Sequence, residues 1–515
     1  IESSMNQLES AAVQDDKRDI LEYMKKFRLE EVLNDLINEL VRERPEDPFV
    51  DLAQTIEAKS VLANSIVAVR AKEVIGANGE PALEVEIETL KGVFQSIVGG
   101  IGPYDGDEER FAGKGLTSCV KIVNTLMADK LIGKDPRRQE FIDSMLAEED
   151  FPANAVLAVS ITVCKAGAKF NEMPVYEHVA ALANISEPRI PMPWFNLVNG
   201  NTFGENELYP KSVSFAIPEA ESVREALEGA SKLYSQFPKT LVSTVIPPVK
   251  SPNVGKLGGF APACENMTDV FNTVKTSAIE VELAQKAVLS VNMGVASYSS
   301  IMETDEGDDE VQFQYELSKF GGEEAVKVLK GSGEMVDEYY DWLVNYPIVS
   351  LEDAFEKKDA GSIIALKEKV ESEIERIKEA DDETSPFAAD VGGSEGCFLQ
   401  TVGDDCLGSQ DDIVRAEEKQ TFNGVTLTMN KAKTVSGFIG LWQKADSLGM
   451  PVVAVDESEE NDPFLVHMAV ALRCSQIRLG GLLGGFATKY NELLRLEDGQ
   501  DGGEGIAYVG KDYRK

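Results

Sequence analysis

The chain has 515 residues, 43% of them hydrophobic, with 50 basic against 89 acidic side chains and a net charge of −39. That length holds about two to four ordinary domains around a real hydrophobic core. So negative a field excludes sequence-independent binding to nucleic acid or to an anionic membrane, which needs clustered Lys and Arg.

Cys119, Cys164, Cys264, Cys397, Cys406 and Cys474 are scattered without a CxxC pair, so reduced and mostly buried thiols are expected. Only His178 and His467 are present, which leaves almost no room for zinc sites or His-based triads. The sequence opens at Ile1 rather than Met, so a start further upstream is expected; no secretory signal pattern is visible. The most apolar window, 151–164, is too short to span a bilayer and reads as a buried helix.

Residues 1–59 are expected to be helical. Between Asp19 and Arg44, Leu29, Val32, Leu33, Leu36, Ile37, Leu40 and Val41 recur at steps of three and four, an amphipathic stripe. Pro45 and Pro48 break it, and a second helix follows from Phe49 to about Lys59. Two such short helices cannot bury their apolar faces alone. The layout LEYMKKFRLEEVLNDLINELVRERPEDPF resembles the dimerisation/docking domain of type II protein kinase A regulatory subunits. This resemblance implies a paired four-helix unit, hence a homodimer. Leu29, Leu33, Leu36, Ile37 and Leu40 would then receive an amphipathic helix of an anchoring or axonemal protein. The alternative is a solubilising hairpin packed on its own chain.

Residues 60–188 read as an α+β unit. Residues 82–88 alternate apolar and acidic side chains after the turn Asn78-Gly79-Glu80-Pro81, and helices follow from Phe111, including 155–168. Residues 189–515 alternate β-branched runs with helical stretches. The runs fall at 213–217, 287–293, 348–355, 398–405, 424–430, 451–458 and 476–481, and they predict a (β/α)₈ barrel. Acidic stretches at 303–310 and 379–386 are expected to be solvated loops. Asn292, Glu352 with Asp353, Asp404 with Asp405, Thr428, Asp456 and Arg478 fall at or just after strand ends, where barrels place their chemistry. Asn292, Glu352 and Asp404 offer oxygen ligands to Mg²⁺; equally, rim carboxylates pair with Lys or Arg.

The motifs VSLEDAF, TVGDD, GGFAP, FPANAVLAVSITVCKAGA, FNLVNG, ATKYNELLRLED and IAYVGKDYR resemble enolase, the phosphopyruvate hydratase family, and the similarity extends from about Val69 to the end. With the helical leader, the chain is most similar to the divergent ciliary and sperm branch of that family. The resemblance implies an α+β N-terminal domain, an α/β barrel, two Mg²⁺ ions, a lysine base and a glutamate acid. The acid position, however, is Leu257, and the base position is Thr428. Neither leucine nor an unactivated hydroxyl can do that proton transfer. Lys431 lies three positions on and could reach inward, although strand alternation alone puts it on the opposite face. Asp456 and Glu457 replace an arginine and a serine on the phosphate side, Gly99 replaces a metal-binding serine, and Phe203 replaces a histidine. Lys211 and Ser212 stand for Gln and Glu, and Arg478 for the last lysine. Of the implied metal ligands, Glu352 and Asp404 are kept and Asn292 replaces an aspartate, which leaves at most a weak Mg²⁺ site.

The expected reading is therefore a catalytically inactive enolase-like body that requires no cofactor. It would serve as a cytoplasmic scaffold, the cysteine usage pointing inside the cell, in a ciliary or flagellar axonemal assembly that is implied by resemblance alone. The alternatives are an active Mg²⁺-dependent enolase using Lys431 or Lys256 as base, and a protein binding another anion through Lys256, Lys211 and Arg478.

Overall fold

The computed structural model describes residues 22–58, 64–100, 102–245, 250, 252–301, 312–321, 326–380, 399–458, 460–499 and 505–514. Cys397 and the acidic stretches at 303–310 and 381–386 lie outside them; residues 379 and 380 end the helix Ala360–Ala380. The other five cysteines are buried and unpaired.

The leading stripe forms helix α1, Leu29–Glu43, and α2 follows as Pro48–Ala58. Residues 22–26 are helical as well, but the stretch is broken before α1, because Arg28 adopts a left-handed conformation (φ 50°) that no continuous helix accepts. Asp47 opens α2: its carboxylate accepts hydrogen bonds from the amides of Phe49 (3.0 Å) and Val50 (3.2 Å). Pro48 sits in the first turn, where its missing N–H costs nothing. Of the stripe, Leu36 is buried and Leu29, Val32 and Leu40 are half-buried, while Leu33, Ile37 and Val41 remain exposed.

Strands β1 (Ile66–Ile75), β2 (Pro81–Thr89) and β3 (Gly92–Gly99) form an antiparallel meander. The β1–β2 turn uses Gly79 at φ 79°, as the Asn78-Gly79 pair predicts. Helix α3, Ala153–Phe170, packs on this sheet. It is apolar enough to cross a membrane by composition, but most of it is buried inside the fold.

Eight strands close the barrel: β4 (Met192–Asn199), β5 (Ser212–Ala216), β6 (Val288–Asn292), β7 (Ile348–Glu352), β8 (Gln400–Gly403), β9 (Gly424–Leu427), β10 (Val452–Val455) and β11 (Gln476–Arg478). β11 pairs in parallel with β4 and shuts the ring. The seven β-branched runs all became strands. β4 was not among them: it is buried along its whole length, shows no alternation, and carries Pro193.

β5 runs antiparallel to both β4 and β6, unlike every other barrel strand. The link 200–211 contains a single helical turn, Asn201–Gly204, too little for a packed crossover helix, so the chain reverses instead. This reversal brings the residue before β5, Lys211, to the same barrel mouth as the ends of the parallel strands: Ser212 pairs with Asn292.

Two buried groups tie the N-terminal unit to the barrel. Asp143 accepts from the Ser436 amide (2.9 Å) and Ser160 Oγ accepts from the Val435 amide (2.9 Å). Both amides lie in the first turn of the helix Val435–Ser447, where backbone donors have no helical partner.

Candidate functional site

The barrel mouth gathers side chains from six strand ends. Asn292 closes β6, Glu352 closes β7, Asp404 follows β8, Thr426 lies in β9, Glu457 follows β10 and Arg478 closes β11. Thus Asn292, Glu352 and Asp404 do come together, as the spacing predicts. The contacts among them are those of a hydrogen-bonded network.

Asn292 Nδ2 donates to Glu352 Oε2 (3.1 Å) and to Asp404 Oδ2 (3.2 Å). Glu352 also accepts from Ser290 Oγ (3.1 Å), and one terminal guanidinium nitrogen of Arg478 reaches both its oxygens. Arg478 Nε lies 2.9 Å from Glu457 Oε1. Asp404 accepts from Thr426 Oγ1 (2.5 Å) and from Lys431 Nζ (2.8 Å), with Lys211 Nζ 3.6 Å away. Burial works against ionising Asp404, yet Lys431, Lys211 and Arg478 hold its carboxyl well below the usual range. Burial likewise disfavours charged Arg478 and Lys211. Glu352, Glu457 and Asp404 outweigh it for the arginine, and Asp404 and Glu457 for the lysine, so both bases are held above their ordinary values. Asp353, beside them, is pushed up to about 7 by burial and by the Asp404 charge, against amide bonds from residues 404 and 405.

Lys431 does not lie on the far face. β9 stops at Leu427, and Thr428 caps a short helix, Met429–Ala432, its Oγ1 accepting from the Lys431 amide (3.1 Å). One helical step replaces strand alternation there and turns Lys431 inward. Its ammonium also donates to the Asp404 carbonyl (2.6 Å) and to Thr426 Oγ1 (3.0 Å).

Leu257 is buried, and only its backbone carbonyl makes polar contacts, accepting from Gly481 N (2.9 Å) and Asn196 Nδ2 (3.3 Å). Lys256, grouped above with Lys211 and Arg478 as a rim cation, instead points to solvent, 60% exposed, and donates to the Thr202 carbonyl (3.0 Å). Its residue lies on the loop between the short pairing segments Asn253–Val254 and Phe260–Ala261, which sets it outside the rim. Asp456, which stands where the resemblance implies an arginine, lies 2.8 Å from the ammonium of Lys489, a fully buried side chain. Lys489 went unnoticed because it comes from the helix Ala487–Asp498, not from a strand end. Ser290 and Thr426 were missed too, although each lies two residues before a singled-out position and so shares its strand face.

A cavity of about 430 Å³ opens above the network. Lys211, Asp404, Asp405, Thr428, Lys431, Asp456 and Glu457 form its polar floor, and Ile97, Val98, Gly99, Leu157 and Ile161 of the N-terminal unit its apolar wall. The donor set does not suit a divalent cation. The Asn292 acceptor, Oδ1, is buried without a hydrogen-bond partner, while the amide group turned towards both carboxylates is the donor. Among the described residues, no group of three or more His, Cys, Asp or Glu side chains is arranged to hold a metal.

Residues 66–179 match the family profile described as "Enolase, N-terminal domain", and residues 187–385 and 374–515 match "Enolase, C-terminal TIM barrel domain". The chain belongs to the enolase family. It is 27% identical over 514 residues to "Cytosolic enolase 3" of Arabidopsis thaliana, covering 96% of this chain and 99% of that protein. It is 29% identical to "Enolase" of Mastigamoeba balamuthi over 456 residues (84% and 96%) and 29% identical to "Enolase" of Eimeria tenella over 478 residues (87% and 99%).

Proposed function

We propose that this enolase-family chain is a catalytically inactive body that serves as an interaction scaffold, docking partners through its N-terminal helices. The observation that carries the reading is the pair Leu257 and Thr428. One is a buried hydrocarbon at the acid position, and the other is a helix-capping hydroxyl at the base position. Each role normally contributes about 10² to 10⁴ in rate. The body requires no cofactor on this reading. Its partner is an amphipathic helix of an anchoring or axonemal protein, which the exposed Leu33 and Ile37 suit, and the hairpin pairs with a second copy. Nucleic acid and membrane are not partners of so acidic a chain. The compartment is cytoplasmic, in keeping with the printed name of the Arabidopsis relative, and ciliary or flagellar by the resemblance of the leader.

One observation favours the opposite reading, an active enolase making phosphoenolpyruvate: Lys431 does line the cavity. A general base must offer a lone pair, however, and this ammonium already donates to three oxygens. A coupled assay with 2-phosphoglycerate and excess Mg²⁺ separates the two. A rate equal to the no-enzyme blank is expected; a saturable rate lost with chelator and in Lys431→Met overturns the inactive reading.

A further inference from the structure

We infer that the barrel mouth carries its own counter-ions: Lys431, Arg478 and Lys211 take over the charge-balancing task of divalent metal, and the folded protein binds none at Asn292, Glu352 and Asp404. The inference concerns the same mouth as the scaffold reading but does not depend on turnover.

Three carboxylates, Glu352, Asp404 and Glu457, face three fixed cations. Even with Asp353 and Asp405 alongside, a dication entering this buried site would have to lie against these three fixed cations. The oxygens are also occupied. Glu352 Oε1 accepts from Ser290 and Arg478, and Oε2 from Asn292 and Arg478. Asp404 Oδ1 accepts from Thr426 and Lys431, and Oδ2 from Asn292. A metal would need Asn292 to turn its amide over, presenting Oδ1 and withdrawing two hydrogen bonds at once. Without the metal, that orientation sets an oxygen against two carboxylates, so the donor orientation is locked by electrostatics. Arginine in place of lysine at 478 completes the arrangement, since its guanidinium spans Glu352 and Glu457 together.

The test is a Mn²⁺ titration of the full chain, read by the paramagnetic signal of free Mn²⁺ and by the thermal unfolding midpoint. It is run in ~0.3 M KCl, where screening removes weak association with exposed carboxylates. The expected result is an undiminished free-ion signal, and a midpoint unchanged between millimolar Mn²⁺ and chelator. Saturable uptake of one or two equivalents, with a midpoint rising with concentration as linkage requires, overturns the inference. Asn292→Asp combined with Lys431→Met removes one fixed cation and adds an anion; it should take up Mn²⁺ saturably under conditions where the native chain takes up none. If that variant fails to fold, the native chain decides alone. Because no substrate is involved, Mn²⁺ uptake without turnover would sink this inference and leave the scaffold reading standing. Turnover without uptake would do the reverse.

Discussion

The Lys431 ammonium lies 2.8 Å from Asp404 Oδ1 and 2.6 Å from the Asp404 carbonyl oxygen, so one lysine holds both the side chain and the backbone of the residue that ends β8. Such a contact serves as a structural staple, and it makes the ammonium a donor where a proton acceptor would be needed for catalysis. Lys431→Met should lower the unfolding free energy by roughly 3–5 kcal/mol, the range for stranding one partner of a largely buried pair. Urea unfolding of both proteins measures it. A change within ~0.5 kcal/mol would show that Lys211 and Arg478 suffice without it.

Restoring the family's acid and base side by side, as Leu257→Glu with Thr428→Lys, should leave turnover at the blank. The new lysine would enter a mouth whose carboxylates already hold three cations, and Asp456 remains on the phosphate side. A coupled assay of the double variant, with circular dichroism to establish folding, tests this. Appearance of a saturable rate would mean that two missing groups, rather than the network, silence the site.

The two faces of α1 should respond differently. Leu36 is 3% exposed, so Leu36→Asp should melt the hairpin, at a cost of about 3 kcal/mol or more for a buried uncompensated charge. Leu33 and Ile37 are 44% and 50% exposed; Leu33→Glu with Ile37→Glu should keep the helix and abolish binding of an amphipathic partner helix. Helical content by circular dichroism and retention on axonemal extract separate the effects. Retention of the double variant at native levels would refute docking through this face.

His178 gives a pH dependence of definite sign. It is 1% exposed, its Nδ1 accepts from Asn171 Nδ2 (3.1 Å), and burial lowers its pKa from 6.5 to about 4. Below pH 6.5 the unfolded chain therefore binds a proton that the folded chain refuses. Stability should fall as pH drops from about 6.5 to about 4, by about 3 kcal/mol from this residue. Carboxylates add to any acid loss, so the measurement is the difference between the native chain and His178→Leu across that window. Parallel slopes would show that His178 takes up its proton equally in the folded and unfolded chain.

Periodicity and motif order were enough to establish the fold class and seven of the eight barrel strands, because these depend on local patterns. β4 escaped because full burial erases alternation, and the direction of β5, though not the strand itself, escaped because it is settled by a link too short for a crossover helix. The chemistry of the mouth belonged to the tertiary structure. Whether Lys431 points in, whether Lys256 belongs to the rim, whether Asp456 is opposed, and which end of Asn292 faces Glu352 all depend on groups distant in sequence. Lys489 comes from a helix 33 residues after Asp456, Arg478 crosses 126 residues to Glu352, and the helical cap at Thr428 overrides the strand's two-residue period. Residue types alone say which charges exist; only the packed barrel decides which of them neutralise each other, since Coulomb energy depends on separation and burial.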